Sequence, residues 1–497
     1  MNVLEIKNIS KTYNNSGKKA NNNITLDLRK GEILCIAGEN GAGKTTLMKI
    51  LCGLIKQDSG SVIKNGNIGM VHQHFMLFSD YTAAENIVFG AEPLKAGIFI
   101  DNKKALYESQ KIINENNFAI NAGIKVKDLT LGEMQQVEIC RILYHNSDII
   151  ILDEPTSILA EAECASLFKT LKKLASNGKS IIMITHKLNE IKNIGDRVAV
   201  LRGGELVCVH DVEKININDI ASLMIGNDGI TGITLNKTNK IVLENINKNP
   251  VIAFENVTVI RKKQKRPLLD SVSFYVNSGE ILGFAGVGGN GLGVIEAVLG
   301  GYLHPVSGKI MYNNKDITGL NNKELRKQGL AYVPADRINV GSALGATIEE
   351  NMIINKRNRI GRNNNEIKSF TIKQIKNFNI ETPDIKEKAS ALSGGNLQKL
   401  ILARETECLK DYIVFSEPAW GLDFSSCLYV HERIEELRDN NKAVILISTD
   451  LDEIIKLSDR IIVMYHGKIA GEYLNDGDEL IKEKIGKNMQ GIFNKEI

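Results

Sequence analysis

The sequence lacks the features that would place a protein in a membrane, outside the cell or on a nucleic acid. None of its apolar runs approaches the ~18 residues of a membrane-spanning helix, and the N-terminal stretch MNVLEIKNISKTY has no apolar core of signal-peptide length. The formal net charge is only +3, so no electrostatic signal of a nucleic-acid partner emerges. We therefore expect a cytoplasmic protein whose contacts with a membrane come through partners.

Cysteine is scarce as well, and its pattern argues against two further classes of protein. The seven cysteines stand at positions 35, 52, 140, 164, 208, 408 and 427, and no two of them form a CxxC pair. An odd, dispersed set is typical of buried thiols in a reducing cytoplasm rather than of a disulfide framework or a zinc site.

What the chain does contain is two copies of one module, recognisable by landmarks that recur at fixed offsets. Gly38 recurs as Gly286, 248 residues later, whereas Leu129 recurs as Leu392, 263 residues later. The second copy therefore carries a net insertion of about 15 residues between these landmarks. The predicted domains are residues 1–226 and 251–497, and the Asn-, Lys- and Thr-rich stretch 227–250 is predicted to be a solvated linker.

Short β-branched runs alternate with longer amphipathic stretches in each copy. In the first copy they predict strands at 32–36, 148–152 and 180–184, each apolar on both faces, and a helix at 161–175. Strands interleaved with helices predict an α/β fold with a largely parallel sheet.

The first copy contains a complete phosphate-binding loop between a predicted strand and a predicted helix. Its glycines allow consecutive backbone N–H groups to face a phosphate, the lysine adds a positive charge, and the hydroxyl after it can bind Mg²⁺. The loop consists of Gly38, Glu39, Asn40, Gly41, Ala42, Gly43, Lys44, Thr45 and Thr46. In the second copy the glycines remain, but Leu292 replaces the lysine and Gly293 replaces the hydroxyl residue.

Other polar residues of the first copy are placed to complete an ATP-hydrolysing site. Asp153 ends an apolar strand and can hold Mg²⁺, and Glu154 can orient or deprotonate the attacking water. Gln73 is a candidate Mg²⁺ ligand and γ-phosphate sensor, His186 a candidate γ-phosphate contact, and Tyr13 a candidate stacking partner for adenine.

These motifs resemble the ATP-binding cassette (ABC) family over nearly the whole chain, which implies two ABC-type ATPase domains, each with a mainly parallel sheet core and a helical subdomain. In that family a signature motif from one module caps the ATP held by the other. The second copy has what resembles an intact signature, with Ser393, Gly394, Gly395 and Asn396. The first copy has a weakened one, with Thr130, Leu131 and Gly132, where leucine stands at a glycine position.

Head-to-tail pairing, which the resemblance implies, divides the residues between two composite sites. Site one would combine the first copy's residues with the second copy's signature and Asp423, and would be complete. Site two would contain all the substituted positions. There Arg261 replaces the adenine-stacking aromatic residue, Leu292 the lysine and Gly293 the hydroxyl residue. Ala335 replaces Gln73, Ser416 replaces Asp153, Asp450 replaces His186 and Ala160 replaces the crossing aspartate. Glu417 alone keeps a catalytic residue type there. Independent neutral drift would distribute substitutions over both sites. Their concentration in site two therefore favours head-to-tail pairing of the two copies.

Tandem, asymmetric ABC proteins of this length are similar to energy-coupling subunits of bacterial importers for sugars and nucleosides. The resemblance implies ATP and Mg²⁺ as cofactors, two membrane permeases and an extracytoplasmic substrate-binding lipoprotein as partners, and a place on the cytoplasmic face of the cell membrane. Monosaccharide importers more often keep a basic residue at position 292 and a glutamate at 335, so Leu292 and Ala335 favour nucleosides. A monosaccharide importer is the alternative. Trp420, where arginine is usual, departs from both branches.

A rival from another class is a soluble tandem ABC ATPase acting on ribosomes or DNA. Such proteins usually keep both sites intact and join them by a long, basic, helical linker, whereas 227–250 is neither long nor strongly basic. The basic run 261–266 is interpreted as a solvated turn. A regulatory protein without enzymatic activity conflicts with the complete first site.

Overall fold

The chain forms two compact units, the first made up mainly of residues 1–234 and the second mainly of 235–497. The computed structural model describes residues 1–13, 19–72, 75–156, 159, 161–225, 250–261, 266–355, 364–382, 384–407, 411–476, 479–489 and 491. Apart from residue 250, the predicted linker lies outside the described residues. Within the described ranges, every helix is too short or too polar to span a lipid bilayer.

The first copy alternates strands and helices, as its sequence pattern predicts. Its strands are β1 (Asn2–Thr12), β2 (Lys19–Arg29), β3 (Ile33–Ala37), β4 (Ser59–Lys64), β5 (Ile68–Val71), β6 (Leu94–Lys95), β7 (Phe99–Ile100), β8 (Ile149–Asp153), β9 (Ser180–Ile184), β10 (Arg197–Arg202) and β11 (Glu205–Asp211). Its helices are α1 (Lys44–Leu51), α2 (Ala83–Val88), α3 (Asn102–Glu115), α4 (Leu131–Tyr144), α5 (Glu161–Ser176), α6 (Leu188–Ile194) and α7 (Ile217–Ile225).

The second copy repeats this succession of elements. Its strands are β12 (Ile252–Val259), β13 (Leu269–Val276), β14 (Ile281–Ala285), β15 (Ser307–Tyr312), β16 (Lys315–Asp316), β17 (Leu330–Val333), β18 (Tyr412–Ser416), β19 (Ala443–Ser448), β20 (Arg460–Tyr465) and β21 (Lys468–Leu474). Its helices are α8 (Leu292–Leu299), α9 (Asn322–Gln328), α10 (Ile348–Ile353), α11 (Asn364–Asn377), α12 (Gly394–Thr406), α13 (Phe424–Asp439), α14 (Leu451–Leu457) and α15 (Glu479–Met489).

Each unit is built on a six-stranded sheet with the same strand order. The order is β11-β10-β3-β9-β8-β5 in the first unit and β21-β20-β14-β19-β18-β17 in the second. Neighbouring strands are parallel except at the hairpin edge, where β10 pairs with β11 and β20 with β21 in antiparallel fashion. The predicted α/β fold with a mainly parallel sheet is confirmed.

The central strands are apolar on both faces because each face is covered by another layer. In the first unit, alternate residues such as Leu34 and Ile36 face the antiparallel sheet β2-β1-β4 and helix α1, whereas Ile33 and Cys35 face α5 and α6. Burial on both sides explains why these segments read as continuous apolar runs rather than alternating ones.

A helical subdomain, also implied by the resemblance, is present in the first unit. Helices α2, α3 and α4 share a separate cluster of buried residues that includes Ile87, Ile113 and Val137. The added residues of the second copy lie between β15 and β17, where 313–329, with β16 and α9, replace the short connection 65–67.

Candidate active site

The phosphate-binding loop joins β3 to α1, and its geometry requires glycine at position 43. Gly43 precedes the first residue of α1 with φ of 96°, a left-handed conformation that favours glycine. A Cβ atom there would overlap the carbonyl oxygen of Ala20. The buried side chain of Asn21 donates from Nδ2 to the Gly43 carbonyl at 3.1 Å. Asn21 therefore fixes the loop, a role that its sequence position gave no motif to reveal.

Lys44 is a buried ammonium group at the start of α1. It donates to the carbonyl oxygens of Gly38 and Glu39 at 2.7 and 2.9 Å, inside the loop that it closes. Burial lowers its pKa, and the nearby carboxylates of Glu154 and Asp153 oppose that shift. A desolvated cation at the N-terminus of a helix is suited to bind the β- and γ-phosphates of a nucleotide.

Asp153 is the last residue of β8, and it is only 7% exposed. Burial, reinforced by the charge of Glu154, raises its pKa to about 6. Among the described residues, no hydrogen-bond donor is paired with its carboxylate. A divalent cation would supply the missing charge, so this aspartate and the hydroxyl of Thr45 fit Mg²⁺, which binds through few protein oxygens together with phosphates.

Glu154 and His186 are brought together by neighbouring parallel strands. Glu154 follows β8 and His186 follows β9, and the Glu154 N–H donates to the Ile184 carbonyl at 3.1 Å. The Nδ1 of His186 lies 3.1 Å from Oε1 of Glu154. Burial alone would raise the pKa of Glu154, but the hydrogen bond and charge of His186, with Lys44, lower it below its usual value. The pair therefore presents an ionised carboxylate suited to orient water.

A further carboxylate, Glu190 in α6, lies behind this pair and was not found from the sequence. It accepts hydrogen bonds from the hydroxyls of Thr156 and Thr185, which flank the two predicted catalytic residues. A glutamate at a buried helix position close after a candidate catalytic histidine is the signal that could have identified it.

The second copy retains the backbone of the site without its lysine and its aspartate. Gly291 precedes α8 with φ of 113°, as Gly43 precedes α1, but the next residue is the buried Leu292. The buried Ser416 ends β18 where Asp153 ends β8. Glu417 follows it, and burial raises the pKa of Glu417 to about 7.

One residue correspondence predicted from the sequence is wrong. Strand register pairs Asp153 with Ile184 in the first unit and Ser416 with Ile447 in the second. Counting two residues onward from each isoleucine places Thr449, and not Asp450, at the position of His186. Asp450 instead corresponds to Lys187 and caps α14, accepting from the N–H groups of Asp452 and Glu453. The offset of 263 residues that relates Leu129 to Leu392 gives the same alignment.

The two signature segments both begin a helix with a side-chain cap. Ser393 caps α12 by accepting from the Asn396 N–H, and Thr130 caps α4 by accepting from the Glu133 N–H in a full capping box. The first helical residue is Gly394 in one and the half-exposed Leu131 in the other. A Cβ at the following Gly132 would overlap the Glu163 carboxylate, and Gly395 holds the same place in α12.

The remaining predicted site residues have simpler placements. Tyr13 is 42% exposed, with its hydroxyl 3.5 Å from that of Thr46. The Ala335 N–H donates to Glu296 at 3.1 Å, Arg261 is exposed, and Gly293 has open space around it. Gln73 and Ala160 lie outside the described residues. Asp423 accepts a hydrogen bond from Ser425.

A phosphate loop at the start of a helix, with an aspartate, a glutamate and a histidine at adjacent strand ends, defines a P-loop nucleotide hydrolase. A profile of the ABC transporter family matches residues 21–157 and 269–419. The chain therefore belongs to the ABC transporter family, with two ABC ATPase domains in tandem.

Relatives match the chain over its full length. It is 37% identical to the guanosine import ATP-binding protein NupO of Bacillus subtilis, over 99% of this chain and 98% of that one. It is 35% identical to the nucleoside import ATP-binding protein NupA of Lactococcus lactis, over 98% of both. It is 34% identical to the ribose import ATP-binding protein RbsA of Caldanaerobacter subterraneus, over 97% and 98%.

A solved structure shares the fold at low sequence identity. The archaeal ribosome recycling factor aABCE1, in complex with the ribosomal stalk protein aP1, has a TM-score of 0.65 and 18% identity, over 93% of this chain and 88% of that one. At this identity the likeness concerns the fold alone.

Proposed function

We propose that this protein is the ATP-hydrolysing, energy-coupling subunit of an importer, with nucleosides as its transported substrates. Full-length relatives named as import ATP-binding proteins support the coupling role. The observation that carries the proposal is the contrast between two loops of equal backbone geometry: Gly43 is followed by Lys44, and Gly291 by Leu292.

Hydrolysis is assigned to the residues of the first copy. Lys44 holds the terminal phosphates, and Glu154, ionised and hydrogen-bonded to His186, orients the water for in-line attack. Asp153 and Thr45 would hold Mg²⁺, which would supply charge neutralisation at the phosphates. Exclusion of water around these buried groups strengthens each electrostatic interaction.

We further propose that the signature of the second copy completes this site, and that the other composite site is degenerate. The distribution of the substitutions supports this. Leu292, Gly293 and Ser416 of the second copy would fall in the same composite site as Leu131 of the first copy. Glu417 without a neighbouring Mg²⁺ ligand or phosphate-binding lysine has little transition-state charge to stabilise.

Coupling to a membrane partner is assigned to an exposed apolar surface of the first unit. Phe78, Tyr81 and Phe89 are 45–47% exposed. The centroid of the Phe78 ring lies 5.3 Å from that of Tyr81 and 4.9 Å from that of Phe89. Exposed aromatic residues in one cluster are typical of protein-binding surfaces. This surface, which follows Gln73 in the sequence, is proposed to receive a short helix from a permease. The two permeases would hold the protein at the cytoplasmic face of the membrane, and an extracytoplasmic substrate-binding lipoprotein would deliver substrate to them.

The choice of nucleosides is supported by Leu292 and Ala335 and by the nucleoside and guanosine importers among the relatives. The ribose importer at 34% identity keeps a monosaccharide importer as the second candidate. Uptake separates the two. Vesicles that contain the permeases, the binding lipoprotein and this ATPase should accumulate labelled guanosine or another nucleoside, with excess ribose failing to compete.

The catalytic assignment is tested by substituting alanine for the corresponding residue of each copy. ATPase activity of the complex with Lys44→Ala should fall on the order of 100-fold or more, whereas Leu292→Ala should change it by less than about twofold. Survival of activity in Lys44→Ala, or its loss in Leu292→Ala, would overturn the assignment of hydrolysis to one site. Uptake of ribose but not of nucleosides would overturn only the choice of substrate.

A further inference from the structure

A buried carboxylate connects the two turns that carry the proposed catalytic pair. Glu190, in the first turn of α6, is 7% exposed. Its Oε1 accepts a hydrogen bond from Thr156 Oγ1 at 2.5 Å, and its Oε2 accepts one from Thr185 Oγ1 at 2.6 Å. Thr156 follows Glu154 by two residues, and Thr185 directly precedes His186. Each oxygen of one carboxylate thus holds one of the two turns.

We propose that Glu190 is a positioning residue for ATP hydrolysis, which fixes the distance between Glu154 and His186 through the hydroxyls of Thr156 and Thr185. This rests on the proposed function, since only a hydrolytic site requires that pair to be aligned. Glu190 acts through its neighbours and contributes no group to the reaction itself.

The bonds are strong enough for this role because of where they lie. Thr156 and Thr185 are buried as completely as Glu190 is, so both hydroxyl-to-carboxylate bonds are shielded from water. Hydrogen bonds to a charged acceptor are short and strong, and a low dielectric strengthens them further. Thr185 Oγ1 also accepts from the Lys187 N–H at 3.1 Å, which ties the turn after His186 into the same network.

Alignment matters here because Glu154 and His186 lie on separate segments, and the backbone of Glu154 is strained. Its φ is 47°, in the left-handed region that costs a non-glycine residue about 1–2 kcal/mol. The contact of Glu154 with His186, at 3.1 Å, joins two segments that are distant in sequence. A link at the base of both turns opposes their relaxation, and a small displacement of a catalytic group has a large effect on rate.

The second copy provides an internal comparison, because it keeps the glutamate but not the link. Glu453 occupies the place of Glu190 in the first turn of α14, and Ala419 stands where Thr156 does. Glu453 Oε1 is bonded instead to Nε2 of His431 at 2.9 Å. The hydroxyl of Ser448, at the position of Thr185, donates to Oε2 of Glu417 at 3.5 Å and not to Glu453. The link through two hydroxyls thus accompanies the complete set of catalytic residues.

A simpler explanation is that any buried glutamate needs hydrogen-bond partners, and that Glu190 serves only the packing of α6. This explanation makes a different prediction. Loss of a purely structural bond should lower stability and the amount of active protein, without a specific change in kcat of the folded fraction.

The test measures kcat and KM for ATP of the full chain in its complex, together with the midpoint of thermal unfolding. Thr185→Val and Thr156→Val should each lower kcat roughly 10- to 100-fold, with KM within about twofold, because the nucleotide contacts are untouched. Thr185→Ser and Thr156→Ser keep the hydroxyl and should restore kcat to within about threefold. Valine variants that fold and keep kcat within about twofold would overturn the proposal.

Glu190→Gln and Glu453→Gln form the matched pair. Both change a buried glutamate at the same helix position, but only Glu190→Gln should lower kcat. Equal effects on kcat in the two variants would overturn the proposal in favour of the packing role. In addition, Thr185→Val combined with His186→Ala should be no slower than His186→Ala alone, since the hydroxyl acts through that pair. Full additivity of the two changes would also overturn it.

Lys44→Ala distinguishes failure of this inference from failure of the proposed function. If Lys44→Ala remains active, the proposed hydrolytic site is wrong whatever the threonine variants do. If Lys44→Ala is inactive and the valine variants are unaffected, the site stands and the role of Glu190 is wrong.

Discussion

Glu154 and Glu417 share a left-handed backbone, with φ of 47° and 44°, at the same point of the two copies, yet their carboxyl groups have opposite electrostatic surroundings. Oε1 of Glu154 faces Nδ1 of His186, and its pKa is lowered. Oε1 of Glu417 accepts from the Thr449 N–H at 2.8 Å, and burial raises its pKa to about 7. Both copies have the strained backbone at this glutamate, but only in the first copy do the surroundings lower the pKa of its carboxyl group.

This contrast predicts unequal effects of the same isosteric substitution. Glu154→Gln removes a base that is ionised at neutral pH, so kcat for ATP should fall on the order of 100- to 10,000-fold with little loss of ATP binding. Glu417→Gln keeps an oxygen that can accept from Thr449 and should leave kcat within about twofold. Steady-state ATPase assays and binding of a fluorescent ATP analogue measure both. A large loss of kcat in Glu417→Gln would contradict the assignment.

The raised pKa of Asp153 predicts how stability depends on pH in the absence of Mg²⁺. Its value rises from 3.8 to about 6 in the folded protein, so the folded state holds a proton that the unfolded state releases between these pH values. Stability therefore falls as pH increases through this window, and above it the folded state bears the full cost of the buried charge, at most about 3 kcal/mol.

Asp153→Asn removes that cost and should raise the midpoint of thermal unfolding at pH 8 in the presence of EDTA. The gain should shrink toward pH 5, where the natural carboxyl is protonated. Mg²⁺ with ATP should stabilise the natural protein and not the variant, because the variant lacks the anionic ligand. A variant that is less stable than the natural protein at pH 8 without Mg²⁺ would show that Asp153 is not destabilised by burial.

The glycines before α1 and α8 should differ in their tolerance of a side chain. Both have positive φ, but a Cβ at Gly43 would overlap the Ala20 carbonyl, whereas at Gly291 its nearest neighbour is the Gly467 Cα at 3.2 Å. Gly291→Ala should cost about 1–2 kcal/mol of unfolding free energy from backbone strain, and the Gly467 backbone must shift slightly to admit the Cβ. Gly43→Ala should cost more and abolish ATP binding. Thermal unfolding and nucleotide binding measure the two effects, and equal losses of stability would be inconsistent with this difference in space.

Local patterns in the sequence were sufficient for the sheet and for the phosphate loop. Strands predicted at 32–36 and 148–152 lie at 33–37 and 149–153, because a run that is apolar on both faces must be a covered central strand. The loop was predictable because its glycines and Lys44 have few alternative uses at that spacing.

What the sequence did not reveal depends on contacts between segments distant along the chain. The match of Asp450 to His186 is not one of these cases, because the offset of 263 residues between Leu129 and Leu392 already places Thr449 there, as the register of β18 with β19 confirms. Glu190 carries no motif, since its role follows from two hydroxyls, Thr156 and Thr185, that reach it from different turns. The two hydroxyls come close to Glu190 only because β8 and β9 are neighbours in the folded sheet.

The two signature helices offer the sharpest test of the composite site. Ser393 and Thr130 each cap a helix. Alanine at either position should therefore lower the free energy of unfolding by about 0.5–2 kcal/mol. Only Ser393 belongs to the signature that is proposed to complete the hydrolytic site. Ser393→Ala should therefore lower ATPase activity roughly 10-fold or more, whereas Thr130→Ala should leave it within about twofold, at matched losses of thermal stability. Because the comparison is made at matched losses of thermal stability, a difference in activity cannot come from helix fraying. Equal activities in the two variants, or a selective loss in Thr130→Ala, would mean that the second copy's signature does not complete the site of Lys44 and Glu154.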